Sequence, residues 1–261
     1  MPDPIVAATL PGAQPTREAP DVAAAVAHLA QDGLVAFPTE TVWGLAACAR
    51  SSAAMNALRS WKGRDADQPV SLLIADAAVL AAEGLELSPL ARRIIAAFWP
   101  GPLTLVIPAR VIPAQAIPAQ AIPADAALAA GVARDDGAVG VRCSSHPVAA
   151  ALAGAAARAG LGPLTATSLN RSGQPPARDE AAARALCAGQ RAPLVLDTGG
   201  DAVSAGPPTS VLDLTQDSPR ILRVGAIDES TLRARVGVEV SSCDASTDPL
   251  APACMKGEPT S

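Results

Sequence analysis

The chain has 261 residues with 20 Lys or Arg and 25 Asp or Glu, so its formal net charge is −5. The length fits one sizeable domain, and the negative charge argues against a surface devoted wholly to nucleic-acid binding. Its apolar runs are far shorter than the roughly 18 residues that span a bilayer, and no secretory signal is readable, so we expect a cytoplasmic protein without membrane contact.

Composition divides the chain into a folded domain and two tails. Residues 1–19 contain four prolines without a period, and residues 241–261 are polar, with Pro and Asp. We therefore expect one domain over residues 20–240, between a flexible N-terminal tail and a disordered C-terminal tail. Within it, the five-residue proline repeat of residues 111–125 predicts an extended exposed loop.

Capping residues and apolar runs predict alternating helices and strands. The expected helices are VAAAVAHLAQ between Asp21 and Gly33, SSAAMNALRSWK before Gly63, LARRIIAAFW after Ser88-Pro89, VAAALAGAAARAG after Pro147, and residues 179–186. The expected strands are LVAFPTE, VSLLIA, LTLVIP, AVGVR, PLTATS, LVLDTG, TSVLDLT and ILRV. This alternation indicates an α/β domain, and the short spacing between TSVLDLT and ILRV favours a hairpin and hence a mixed sheet.

Three polar turns at the ends of these elements are candidate binding segments. The run FPTETVWGL places Thr39, Glu40 and Thr41 directly after a strand, where ligand crevices form in α/β sheets. The run WKGR, residues 61–64, puts two cations at a helix end, where they either complement the helix dipole or clamp a phosphate. The run TATSLNRSG, residues 165–173, adds hydroxyls and an amide. Together these groups suit a polyanionic substrate with a small polar co-substrate.

Cysteines and histidines offer weaker signals. The five cysteines are scattered without a C-x-x-C pair and are expected to be free thiols. His28 lies inside the first predicted helix and is expected to be structural. Cys143 and His146 could form a thiol–imidazole pair or bind a metal, but both require partners that the sequence does not supply. Neither a P-loop nor a G-x-G-x-x-G fingerprint occurs.

The order and wording of these segments resemble the YrdC/Sua5 family, the threonylcarbamoyl-AMP synthases. The likeness covers about residues 20–230 through GLVAFPTETVWGL, WKGR, FWPGPLTLV, VGVRCSSHP, TATSLNRSGQP, TSVLDLT and ILRVGAI. It implies a YrdC-like α/β fold, in which a twisted mixed β-sheet with flanking helices surrounds a large concave basic cavity. It also implies a nucleotidyltransferase that condenses L-threonine, bicarbonate and ATP into threonylcarbamoyl-AMP and pyrophosphate for modification of adenosine 37 in tRNA.

The resemblance also implies roles for individual residues. The family signature consists of the side chains of its K-x-R and S-x-N motifs, which are Lys62, Arg64, Ser168 and Asn170. The residues that would face threonine are Thr39, Arg142, Ser168 and Thr209, and those that would face ATP are Arg64, Gln68, Asn170, Arg178 and Arg223. No metal ligand is implied, because Mg²⁺ would arrive bound to ATP. A threonylcarbamoyl transferase complex would accept the product, and tRNA is a further candidate ligand.

Five positions depart from the family pattern, and three other functions stay open. The departures are Asp65 after the K-x-R arginine, Pro208 in place of a Glu, Leu169 within S-x-N, Arg178 in place of a frequent Thr, and Leu73 at a position that is polar in some relatives. One alternative is a carbamoyl-transfer domain of the hydrogenase-maturation type, whose extra zinc segments are not seen here. The others are a non-catalytic double-stranded RNA or tRNA-binding module, which the net charge and few aromatics disfavour, and a purely structural domain.

Overall fold

The structure, a computed structural model, describes residues 20–63, 69–83, 85, 87–108, 127–189, 192–196 and 206–242. Several sequence predictions concern residues outside these ranges. They are the predictions for the N-terminal tail, the proline repeat, Arg64, Asp65, Gln68 and the chain beyond residue 242.

Seven helices and ten strands lie within the described residues. The helices are α1 (Pro20–Leu29), α2 (Ser52–Lys62), α3 (Val79–Ala82), α4 (Pro89–Phe98), α5 (Pro147–Arg158), α6 (Glu180–Leu186) and α7 (Glu229–Val236). The strands are β1 (Val35–Phe37), β2 (Gly44–Ala46), β3 (Ser71–Leu73), β4 (Leu103–Pro108), β5 (Ala138–Arg142), β6 (Leu164–Ser168), β7 (Leu194–Val195), β8 (Ser210–Asp213), β9 (Arg220–Arg223) and β10 (Ser241–Ser242).

The strands form one open, mixed sheet in the order β10-β9-β8-β4-β5-β3-β6-β2-β1-β7. Strand β4 runs antiparallel to β5 and parallel to β8, and β8 and β9 form an antiparallel hairpin. The predicted mixed α/β sheet is therefore confirmed, together with its hairpin. No helix of the described part of the chain is long and apolar enough to cross a membrane.

Local capping chemistry explains where the helices begin and end. The Ser51 side chain accepts a hydrogen bond of 3.1 Å from the Ala54 amide and caps α2, which ends at Gly63 in the left-handed region. Ser88 caps α4 in the same way, with Pro89 in the first turn. These predicted boundaries are confirmed.

The end of α1 differs from the prediction that Gly33 closes the helix. The residue with positive φ is Asp32, at 61°, and Gly33 donates its amide to the His28 carbonyl at 3.0 Å. Gly33 is instead a point of close approach, since a Cβ there would lie 2.3 Å from the His28 ring, which would have to move. His28 therefore packs against the turn, which agrees with its expected structural role.

Four short elements are missing from the sequence prediction. Strand β2 lies within the run predicted as a polar turn, and α3 and α7 carry weak apolar patterns. Strand β10 lies in the predicted tail: Ser241 and Ser242 run parallel to β9, and the Ser241 amide donates to the Pro219 carbonyl at 3.1 Å. The sequence does not predict β10, because edge pairing by polar residues leaves no hydrophobic signal.

The core lies on both faces of the sheet. Along β1, Val35 and Phe37 pack with α1 and α5, whereas Ala36 packs with α2 and α4 on the opposite face. This alternation follows from the two-residue period of a strand. Gly44 is required opposite Phe37, because a Cβ at residue 44 would lie 2.6 Å from the phenyl ring. The close fit of β1 against β2 fixes the loop between them, which is the centre of the candidate site.

Candidate active site

The β1–β2 loop, residues 38–43, is held in one conformation by its own side chains. Thr39 Oγ1 donates to the Val42 carbonyl at 2.7 Å and accepts from the Thr41 amide at 3.2 Å. At its far end, Trp43 accepts a hydrogen bond of 2.8 Å from the Leu169 amide and donates one of 3.0 Å to the Ala177 carbonyl. The loop is therefore attached at this end to the segment that follows β6, and its other contact is with β5.

Arg142, the last residue of β5, lies in the middle of the sheet beside this loop. Its Nη2 donates to the hydroxyl oxygens of Thr39 at 3.2 Å and Thr41 at 2.9 Å. The Thr41 hydroxyl in turn lies 3.3 Å from that of Thr209, just before β8. All four residues are buried. We call Thr39, Thr41, Arg142 and Thr209, together with Glu40, the arginine cluster; it contains three of the four residues predicted to face threonine.

Glu40, which the sequence placed in a candidate binding turn without a separate role, is also a member of this cluster. Its Oε1 lies 3.0 Å from Arg142 Nη2, and its Oε2 accepts a hydrogen bond from the Ser144 hydroxyl. Burial acts to raise the pKa of Glu40, but the Arg142 charge and the Ser144 hydrogen bond outweigh it and hold the pKa below its ordinary value. Glu40 is therefore a carboxylate at neutral pH. The signal in the sequence is the carboxylate that stands between two threonines directly after a strand.

Lys62, at the end of α2, forms a second polar cluster with the loop after β6. Its Nζ donates to Asn170 Oδ1 at 3.2 Å and to the Ser168 carbonyl, and the Ser168 hydroxyl donates to the same Oδ1 at 2.6 Å. We call Lys62, Ser168 and Asn170 the lysine cluster. It unites three of the four signature residues, and the fourth, Arg64, lies two residues beyond it outside the described part.

Burial separates the two interpretations of Lys62. A lysine that only complements a helix dipole keeps its ammonium group in water, whereas Lys62 is 1% exposed. Taking an ammonium group out of water carries a cost that oxygen partners must offset. The burial of Lys62 therefore favours a built polar site over a charged helix end.

The two remaining predicted ATP-facing residues that the structure describes are both exposed, Arg178 and Arg223. Arg223 Nε donates to the Thr209 carbonyl at 3.0 Å, so this guanidinium borders the arginine cluster. Arg178 follows Ala177, whose backbone bonds to Trp43 and Leu169. Both cations thus lie at the edges of the segments that carry the two clusters.

Two departures from the family pattern are explained by packing. Leu73 is 1% exposed and packs in the core cluster on the α1 and α5 face, and Leu169 is fully buried in the cluster on the opposite face. Both side chains are core residues, so their apolar character does not bear on the polar contacts of the site.

Cys143 and His146 do not form the pair that their spacing suggested. The Cys143 thiol lies 3.5 Å from the Ala75 carbonyl, to which it donates, and His146 Nδ1 accepts from the Val148 amide at 3.3 Å as the cap of α5. Burial, followed by the negative charges of Asp76 and Glu40, raises the pKa of Cys143 to about 11. The thiol is therefore protonated at neutral pH and is a poor nucleophile.

Comparison with known proteins identifies the family. The model of the Sua5/YciO/YrdC family, described as "Telomere recombination", matches residues 27–225. The chain belongs to this family. A Sua5/YciO/YrdC relative from Mycobacterium tuberculosis is 33% identical over 230 residues, which are 88% of this chain and 95% of the relative.

Two further Sua5/YciO/YrdC relatives are longer than the matched segment. Threonylcarbamoyl-AMP synthase of Bacillus subtilis is 33% identical over 237 residues, covering 89% of this chain and 62% of the relative. The crystal structure of P. abyssi Sua5 complexed with L-threonine has a TM-score of 0.68 and 29% identity, and the match covers 84% of this chain and 58% of Sua5. The chain therefore spans less than two thirds of these two proteins.

The ion pair between Glu40 and Arg142 predicts a pH dependence of stability. Because the folded-state pKa of Glu40 is below its ordinary value of 4.5, the pair stabilises the fold fully above that pH and is lost as the pH falls through the folded-state pKa. Replacing Glu40 by Gln should lower stability at neutral pH by up to about 3 kcal/mol, because Arg142 then keeps a buried charge without its counter-ion. The measurement is the unfolding midpoint of both proteins from neutral pH to about pH 3.

The difference between wild type and E40Q should shrink in acid. The control is Glu239→Gln, which removes the same charge from a side chain that is 81% exposed and should change the midpoint little. Parallel pH curves for wild type and E40Q would contradict a stabilising ion pair at this position.

Proposed function

We propose that the protein is an L-threonylcarbamoyladenylate synthase, a nucleotidyltransferase that condenses L-threonine, bicarbonate and ATP into threonylcarbamoyl-AMP and pyrophosphate. The observation that carries this proposal is a pair of buried cationic clusters joined by one short loop. One presents a guanidinium among hydroxyls, and the other presents an ammonium beside an amide and a hydroxyl. Curated relatives with this activity in their names support the assignment.

The arginine cluster suits the amino acid. A guanidinium matches the plane and charge of a carboxylate, so Arg142 is the partner of the threonine carboxylate. The hydroxyls of Thr39 and Thr209 lie within the same cluster and would orient the substrate, with Ser168 across the β1–β2 loop. The complex of P. abyssi Sua5 with L-threonine supports this substrate.

The lysine cluster suits the triphosphate. Lys62 supplies a point charge for phosphate oxygens, and Asn170 is held rigidly because its Nδ2 donates to the Arg171 and Gln174 carbonyls at 2.9 and 2.7 Å. The resemblance assigns Arg64, Gln68, Arg178 and Arg223 to the same nucleotide. The three arginines would add charge around ATP from three separate segments, and Gln68 would add a neutral hydrogen-bonding group.

The chemistry needs positioning and charge stabilisation rather than a covalent nucleophile. The threonine amine combines with bicarbonate to form a carbamate and water. A carbamate oxygen then attacks the α-phosphorus of ATP, forming a new P–O bond as the bond to pyrophosphate breaks. Fixed cations around the phosphates stabilise the charge that develops on the departing group. The protonated Cys143 thiol is not required in this scheme.

A divalent metal fits this reaction as an ion bound to ATP rather than as an ion bound by the protein alone. Within the described residues, no group of three or more His, Cys, Asp or Glu side chains could hold a metal. The arginine cluster contains a single carboxylate, Glu40, which pairs with Arg142. We therefore propose that Mg²⁺ enters bound to the triphosphate, where it would neutralise phosphate charge.

The product defines the next partner. Threonylcarbamoyl-AMP is a mixed anhydride, so it requires an acceptor that takes the threonylcarbamoyl group and releases AMP. We propose that this acceptor system is a transferase complex acting on adenosine 37 of tRNA. The exposed Arg178 and Arg223 offer cations for tRNA as well as for ATP, so direct tRNA binding forms part of the proposal.

A pyrophosphate-release assay tests the activity. Pyrophosphate should form from ATP only when threonine and bicarbonate are both present, and serine should support turnover roughly 10- to 200-fold less efficiently, because it lacks one methyl group. Turnover without an amino acid would contradict threonine activation and favour a different carbamoyl transfer. A protein that binds RNA but releases no pyrophosphate would favour the non-catalytic module.

The lysine cluster can be tested with a matched pair of variants on α2. Lys62→Met keeps most of the apolar length of the side chain and removes its charge, so kcat/KM for ATP should fall roughly 10- to 150-fold if one charge-assisted bond to phosphate is lost. The control is Arg59→Met, since Arg59 is a cation in the same last turn and donates to the Ala130 carbonyl at 2.7 Å.

Comparing the two variants separates catalysis from a helix-end effect. If Lys62 only complements the dipole of α2, both variants should lose a few tenths of a kcal/mol of stability and retain activity. Equal kcat/KM values for ATP in wild type and Lys62→Met would contradict the proposed role of the lysine cluster.

A further inference from the structure

Two buried polar atoms of the arginine cluster form no hydrogen bond with any described residue. They are Arg142 Nε and Glu40 Oε1. The two N–H bonds of Arg142 Nη2 are directed to the hydroxyls of Thr39 and Thr41. Glu40 Oε1 lies 3.0 Å from the same nitrogen and forms an ion pair with it.

This pairing is unusual for a structural ion pair. Buried polar atoms in proteins are almost always hydrogen-bonded, and leaving one unpaired is costly. Arg142 is 9% exposed, and its Nε is nevertheless a donor without an acceptor. Beside it is a carboxylate oxygen without a donor. Such a donor and acceptor are complementary to a ligand that carries an anion and a cation close together.

An α-amino acid zwitterion has this arrangement, because one carbon atom joins its carboxylate and its ammonium group. We propose that Glu40 is a substrate-binding residue that receives the α-ammonium group of L-threonine while Arg142 Nε donates to the substrate carboxylate. This inference rests on the proposed function and adds the recognition of the amine to it. The ion pair of the free protein thereby becomes the binding surface for the zwitterion.

Ser144 holds the Glu40 carboxylate in the orientation that this binding requires. Its hydroxyl donates to Oε2, which leaves Oε1 on the side of Arg142. The Ser144 oxygen also accepts from the His146 amide at 3.2 Å, next to the start of α5. The orientation of the carboxylate is thus set by the end of β5 and the beginning of α5, and Ser144 is a positioning residue.

The test compares two ligands that differ at the amine. L-Threonine and the matching 2,3-dihydroxybutanoate, which has a hydroxyl in place of the ammonium group, are titrated into the full chain by calorimetry. The wild-type protein should bind threonine roughly 10- to 150-fold more tightly, the range expected for one charge-assisted hydrogen bond. In Glu40→Gln this preference should largely disappear, because the variant has no charge for the ammonium group.

Two further measurements locate the effect. Glu239→Gln should retain the wild-type preference, since its side chain is 81% exposed and pairs with Arg233. In steady-state kinetics Glu40→Gln should raise KM for threonine far more than KM for ATP. If Glu40 were merely structural, Glu40→Gln would weaken the binding of threonine and of 2,3-dihydroxybutanoate equally. The preference for threonine would then stay intact, which would overturn the inference.

Other outcomes are equally decisive. If Glu40→Gln does not fold, the wild-type protein still tests the proposal, because equal affinity for the two ligands would contradict it. Ser144→Ala should then show a reduced preference. Wild-type protein that neither binds threonine nor releases pyrophosphate would contradict the proposed function itself. Normal pyrophosphate release with an unchanged preference in Glu40→Gln would contradict only the role of Glu40.

Discussion

A guanidinium buried at the end of a central strand is the constraint on which the site depends. Arg142 ends β5, between β3 and β4, and is 9% exposed, so its charge is largely removed from water. The cost of burying this charge is offset by the hydroxyls and the carboxylate of the β1–β2 loop. That loop is fixed in turn by its own Thr39 hydrogen bonds and by the backbone of Trp43. The loop therefore stabilises the buried charge, and the sheet holds the loop in place.

The same loop separates two kinds of cation. On one side, Arg142 is surrounded by hydroxyls and one carboxylate, an environment suited to a small amphoteric molecule. On the other, the Lys62 ammonium group lies beside the Ser168 carbonyl and Asn170 Oδ1, and a point charge of this kind suits phosphate oxygens. An enzyme that joins an amino acid to a nucleotide needs both environments side by side, with a rigid element between them.

Much of this architecture is predictable from local chemistry, and the rest depends on distant contacts. The caps Ser51 and Ser88 and the apolar runs of β4 and β5 are local signals, so these elements were correctly predicted. Strand β2 was missed because only its pairing with β1 and β6 makes the three residues Gly44–Ala46 a strand. The sequence placed Glu40 in a candidate binding turn but could not place it against Arg142, since its loop meets β5 across 103 residues of sequence, as the Thr39–Arg142 bond shows. Resemblance to the family supplied the signature residues, but not this carboxylate.

The most direct test is a crystal structure of the protein with L-threonine and a non-hydrolysable ATP analogue. The predicted result is a threonine carboxylate within about 3.2 Å of the Arg142 guanidinium and a triphosphate beside Lys62. Threonine bound at Lys62, or bound away from both clusters with the Glu40–Arg142 pair unchanged, would contradict the division of the site into an amino-acid half and a nucleotide half.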